Sequence, residues 1–165
     1  MYRPKTVIPP ARATREPVVK TGLDWSAAGW AGLVAGAVFL ALQTALSGHG
    51  FRLIASVALG GSVMAESAGF SAVVVLAAAA VHIPLSLIYA RVIAIIVDGR
   101  PQGFAAAAGA VMGCALYGLN FYAFANFFPW VAAARGPGSL AAHAAFGAIS
   151  GGLYARLARR PSEER

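Results

Sequence analysis

Four long stretches of this chain, about 25–46, 71–97, 104–128 and 139–157, carry almost no charge. Each is near or beyond the ~20 apolar residues with which a helix crosses a bilayer. Inside hydrocarbon the backbone must bond to itself, so a continuous apolar run of this length folds as a helix. The runs lack strand-like alternation, which argues against a membrane β-barrel. Only 12% of the residues are charged, against roughly 25% in a soluble domain. The expected fold is all-α: an integral membrane four-helix bundle over residues 24–158, whose connections are too short to fold separately.

Charge placement predicts the orientation. Arg3, Lys5, Arg12, Arg15 and Lys20 precede the first span, Arg91 and Arg100 sit at the connection between the second and third, and Arg156, Arg159, Arg160 and Arg165 close the chain. Only Arg52 and Arg135 fall on the opposite side. Such a bias places both termini in the cytoplasm, as for a multi-pass protein of a bacterial inner membrane. The net charge of +7 then serves topology and contact with the lipid bilayer, and no nucleic acid partner is expected. Residues 1–23, with Pro4, Pro9, Pro10 and Pro17, read as a flexible basic tail, and 159–165 as a second, shorter one. No cleavable signal is expected, because the first apolar stretch begins late and exceeds a signal core.

The connections are legible too. FRLIASVALGGSVM (51–64) is apolar but too short to span, which predicts an interfacial or re-entrant helix. DGRPQG (98–103) reads as a tight cytoplasmic turn and PWVAAARGPG (129–138) as an outer one. Trp25 and Trp130 suit the membrane interface. Cys114, the sole cysteine, excludes an intrachain disulfide. AGAVFLAL (35–42) resembles AGAVMGCAL (108–116), and Tyr-Ala-Arg occurs at both 89–91 and 154–156. These echoes suggest two tandem helical hairpins related by an axis along the membrane normal.

Polar residues inside the spans mark candidate sites, because polarity is costly there. His82, Ser86 and Tyr89 share one helical stripe; Tyr117 and Asn120 share another with Gly109 and Gly113; His143 shares a third with Gly147 and Gly151. Gly32, Gly36 and Gln43 fall in the first span. Small residues let membrane helices approach closely, so the Gly32/Gly36, Gly109/Gly113 and Gly147/Gly151 faces are candidate surfaces for a homo-oligomer or a larger complex. Pro84, two residues past His82, removes a backbone donor and predicts a kink.

Counted along ideal helices, His143 lies roughly 6–8 Å below the outer surface, Asn120 about 12 Å and His82 about 17 Å. This predicts a stepped polar pocket opening outward, with Arg135 and Glu66 at its mouth and Tyr117 and Ser86 in its wall. His143, shallowest, should be the wettest. Such residues either bond helices together or hold a ligand or proton. Two histidines on different helices also raise bis-histidine haem b, with His82 and His143 as axial ligands, although their depths differ. Zinc spacing is absent, and His49 reads as a loop residue. No nucleophile elbow, phosphate loop or carboxylate pair occurs in the spans, so no catalytic residue is assigned.

The N-F-Y…F-F-P-W run at 120–130, followed by Arg135 and His143, resembles small bacterial four-span membrane proteins, some labelled sodium:proline symporter-like. The resemblance covers about 25–158 and implies a fold, since no activity is attached to these residues. A symporter of that kind needs more helices than one such chain holds. The readings carried forward are a non-enzymatic accessory or binding component with an outward-facing polar pocket, a small oligomeric proton-linked transporter or channel, and a haem b protein. For the orientation, a polar thiol reagent should reach Lys5→Cys and Ser162→Cys only after the inner membrane is permeabilised. Labelling of either from the periplasm would exclude the N-in/C-in arrangement.

Overall fold

Asp24 opens the first helix, its carboxylate accepting the Ala27 N–H at 2.9 Å. This cap replaces a bond that a helix N-terminus lacks. Helix α1 (Trp25–Ser47) ends at Gly48, where φ of 71° and a bond from its N–H to the Thr44 carbonyl stop the helix with a left-handed residue. A computed structural model describes residues 22–48, 50–64 and 71–158 of the protein. His49, Glu66 and almost all of both expected tails lie outside the described residues. Helix α2 (Gly50–Leu59) and a short turn at Gly61–Met64 follow. Ser71 caps α3 (Ala72–Val97), which runs unbroken through Pro84. The 98–101 turn carries Gly99 at φ 68° and leads into α4 (Gln102–Gly118). Pro137 begins α5 (Pro137–Leu157) at the one helical position where a missing N–H costs nothing.

The protein is a helical bundle without strands among the described residues. Helices α1, α3 and α4, with the continuation of α4 to Asn126, are long and apolar enough to cross a membrane. The α4 continuation differs from the single regular helix expected over 104–128. Leu119–Ala123 form a widened π-turn and Phe124–Asn126 a tight 3₁₀ turn. Such a bulge shifts the phase of everything after it by one residue.

Helix α5 is the least apolar of the four long helices and the most enclosed. Ser139, His143, Phe146, Ser150 and Tyr154 on it are all buried, and α1, α3 and α4 all pack against it. Sheathed by neighbours, α5 keeps polar groups that would be costly against lipid. At the end expected to face the cytoplasm, the Tyr154 hydroxyl donates to Asp98 at 2.6 Å, joining α5 to the end of α3. At the other end α2 caps the bundle. The Trp130 indole N–H donates to Ser56 at 2.9 Å, and Ser56 donates to the Leu53 carbonyl at 2.6 Å. The expected short non-spanning helix in 51–64 is thus a lid packed on Val74, Ala78 and Val131.

Glycines set the helix spacings. A Cβ on Gly109 or Gly113 would run into the carbonyl of Gly147 or His143, and one on Gly147 or Gly151 into that of Gly109 or Ala105. On the other hairpin, a Cβ on Gly32 would lie 2.7 Å from Ala90 Cβ, and one on Gly36 would lie 2.6 Å from Ser86 Oγ. All three glycine faces, expected to serve association with other chains, are therefore consumed inside the chain. Small residues let neighbouring helices of the same chain approach closely. Backbone cannot move aside as a side chain can, so Gly147→Val should cost at least about 3 kcal/mol. Gly29→Ala, with open space around it, should change stability by less than about 1 kcal/mol. Unfolding by SDS titration from mixed micelles measures both, and equal losses would contradict the packing.

Candidate functional site

The π-turn in the α4 continuation aims Asn120 between α3 and α5. His143 Nδ1 lies 2.7 Å from the Ser139 carbonyl oxygen. A carbonyl only accepts, so Nδ1 holds the proton and Nε2 presents a lone pair. That lone pair receives an N–H from the Asn120 amide at 3.1 Å. Asn120 Oδ1 in turn accepts the Tyr89 hydroxyl at 2.9 Å. A directed chain thus runs from Tyr89 on α3 through Asn120 to His143 and the Ser139 carbonyl on α5. The Ser139 hydroxyl extends the network: it donates to the Ala134 carbonyl at 2.7 Å and accepts from Gln43 of α1 at 2.8 Å.

His82 stands apart from that chain. Its Nε2 lies 2.8 Å from the Gly36 carbonyl oxygen, which fixes the proton on Nε2 by the same reasoning. Ser86 Oγ, at 3.4 Å, is a more distant second contact. Nδ1 is left with a free lone pair: no described residue bonds to it, and it is not sealed in the packing. Phe39 lies between the two imidazoles, stacked on His82 at 5.3 Å and meeting the His143 edge at 4.7 Å.

Beside these groups is a partly open cavity of about 330 Å³. Phe39 of α1, Leu53, Ile54 and Val57 of α2, and Val81, His82, Leu85, Ser86 and Tyr89 of α3 form one part of its wall. Leu116, Asn120, Phe121, Phe124, Phe128, Val131, His143 and Phe146 form the rest. Although it touches His82, Asn120, His143 and Ser86, the lining is overwhelmingly carbon, because most of their polar atoms are turned into hydrogen bonds.

Several expectations are corrected by this geometry. The polar residues do not descend in steps: Asn120 and His143 are in direct contact, and one phenyl ring touches both histidines. Depths counted from span ends fail because α5 starts two residues earlier than expected and the third span ends in a bulge and a tight turn. His143 is buried at 4% exposure and bonded at both nitrogens, not the wettest member. Tyr117 is absent from the cavity wall; its ring packs on Phe121 and His143, and its hydroxyl accepts the Gly136 N–H at 3.2 Å. Arg135 is a brace. Its Nε donates to the Phe121 carbonyl in the widened turn at 2.8 Å, and its guanidinium covers the Tyr122 ring at 4.4 Å. Glu66 lies outside the described residues.

Haem b does not fit these residues. Each axial imidazole must offer a lone pair to iron, and His143 has none to spare. Phe39 occupies the space between the two rings that a porphyrin would need. Among the described residues no three His, Cys, Asp or Glu side chains gather as a metal site. The site residues that the sequence did not single out are Phe39 and Ser139. A phenylalanine in an apolar helix carries no signal, whereas Ser139, at the edge of the fourth span, could have been flagged as a polar partner.

No family model, curated protein or solved structure matches the chain. The directed chain carries a stability prediction. Asn120→Leu leaves the Tyr89 hydroxyl and His143 Nε2 unpaired and should cost about 1–3 kcal/mol. Tyr89→Phe alone should cost about 0.6 kcal/mol, and nothing further once Asn120 is replaced. A double-mutant cycle on SDS unfolding checks this, and additive losses would show that the two groups are not coupled.

Proposed function

We propose that this chain is a non-enzymatic accessory or binding protein of the bacterial inner membrane that holds an apolar small molecule drawn from the bilayer. The observation that carries the reading is the cavity. Its volume of about 330 Å³ falls at the small end of ligand sites, roughly 300–1,000 Å³, which are typically apolar with a few placed polar groups. Its walls come from all four long helices and the α2 lid, so it belongs to the fold as a whole. Contacts between α3 and α4 are sparse, and the Tyr89–Asn120 hydrogen bond ties α3 to the continuation of α4. That seam gives a bilayer-dissolved molecule a lateral route inward.

A proton-linked carrier is less well supported. It needs polar continuity to both sides, yet the Tyr89-to-Ser139 chain turns toward the outer end at Ala134. Toward the other end lies the packed core of Ala31, Ala35, Ile93, Ala94 and Ala105. The site therefore reads as a closed-ended pocket.

Organic extraction of protein purified in mild detergent, followed by mass spectrometry, tests the proposal. An apolar compound should appear at close to one per chain and fall at least severalfold in Leu85→Trp, which fills the cavity. The same lipids in both proteins, with no enriched compound, would overturn it.

A further inference from the structure

Resting on that reading, we infer that the cavity selects apolar molecules that carry a hydroxyl group, and that His82 Nδ1 accepts the hydroxyl hydrogen. The inference comes from counting donors and acceptors. The 2.8 Å contact from Nε2 to the Gly36 carbonyl holds His82 in one tautomer. Any change that moved the proton to Nδ1 would set two lone pairs against each other at that distance. The imidazole therefore meets the cavity as an acceptor only, and it is the one cavity-wall histidine with an unused nitrogen.

The other polar wall groups have at least one partner each; Ser86 Oγ has only the 3.4 Å contact to His82 Nε2. His143 uses both nitrogens, and the Tyr89 hydroxyl hydrogen is committed to Asn120. Asn120 retains a second N–H on an amide that is already bonded, which makes it the competing feature: it would favour a carbonyl ligand. His82 outweighs it, since an acceptor with no partner gains a whole bond when a donor arrives, and the apolar lining gives that bond little competition from water. The stacked Phe39 ring and Leu85 leave room for a flat or chain-like apolar body. A long-chain phenol, a sterol-like alcohol or a reduced quinone has this chemistry; an ether or a hydrocarbon does not.

The test uses wild-type protein in nanodiscs, with ¹⁵N in the histidine rings and ¹³C in the Leu, Ile and Val methyls. The probes are 4-octylphenol, its methyl ether and 4-octylacetophenone, which share an apolar body. Shifts of the Leu53, Ile54 and Val57 methyls report entry to the cavity, and His82 Nδ1 reports the hydrogen bond, with His143 as an internal reference. The phenol should bind about fivefold more tightly than the ether and move His82 Nδ1, while His143 stays in place. In His82→Phe that preference should vanish while the methyl shifts persist. If all three probes move the methyls equally and none moves Nδ1, the hydroxyl inference fails and the cavity reading stands. Tighter binding of the acetophenone would overturn it in favour of the Asn120 N–H. If no probe moves the methyls, the cavity reading itself fails.

Discussion

The backbone contact between α4 and α5 is the constraint on which the rest of this structure depends. Gly109 and Gly113 face Gly147 and Gly151 with carbonyl oxygens where side chains would otherwise stand. In lipid there is no hydrophobic force between helices, so dense packing of small surfaces is what holds them. That closeness has a second effect. It holds the polar face of α5 against its neighbours, where Ser139, His143 and Ser150 are buried away from hydrocarbon, although Leu140 and Leu157 on the same helix stay exposed. Two buried polar atoms still lack a partner among the described residues, Gln43 Oε1 on α1 and Ser150 Oγ on α5 itself.

The tight pair also explains the bulge. The close contact on α4 ends at Gly113, since a Cβ on Gly118 would meet nothing. Beyond that point the chain must fill a widening gap, and Leu119–Ala123 do so by opening to a π-turn. The widened turn puts Asn120 within reach of His143 and Tyr89 and exposes the Phe121 carbonyl, which Arg135 satisfies. The aromatic side chains that follow cannot close the space completely. What remains open between them, α2 and α3 is the cavity.

Much of the fold was legible from the residues, and the reasons differ from the reasons the site was not. Long apolar runs, Gly99 with Pro101, and the short apolar segment at 51–64 each follow from a local rule, and the helices and turns they predict are found. The three glycine pairs were read as small faces, but sequence alone could not say whether a small face meets its own chain or another. Site geometry failed where it depended on phase. With the π-turn, Phe121 joins Asn120 and Phe124 of the expected stripe on the cavity wall, while Tyr117, one turn before it, packs behind Phe121. Depth counting failed for the same reason at a larger scale, because it assumed straight helices with known ends. Of the sequence candidates, His82, Ser86, Asn120 and His143 reach the cavity wall; Tyr117 and Arg135 instead support the segment behind it.

Two histidines on the same cavity wall thus have opposite hydrogen-bond status for one physical reason, the backbone acceptor each meets first. His143 finds the carbonyl of its own helix one turn back and keeps Nε2 for Asn120, so its polarity is spent on holding α4 to α5. His82 finds the Gly36 carbonyl across the helix interface, where a side chain on Gly36 would clash with Ser86 Oγ at 2.6 Å and hold α1 and α3 apart. The glycine that lets α1 and α3 approach also turns the imidazole toward α1 and leaves Nδ1 unused. Structural bonding and ligand selection are therefore not competing accounts of the polar residues in this membrane. The first, completed at His143, makes the cavity apolar; left incomplete at His82, it leaves an unpaired ring nitrogen on the residue that lines the cavity.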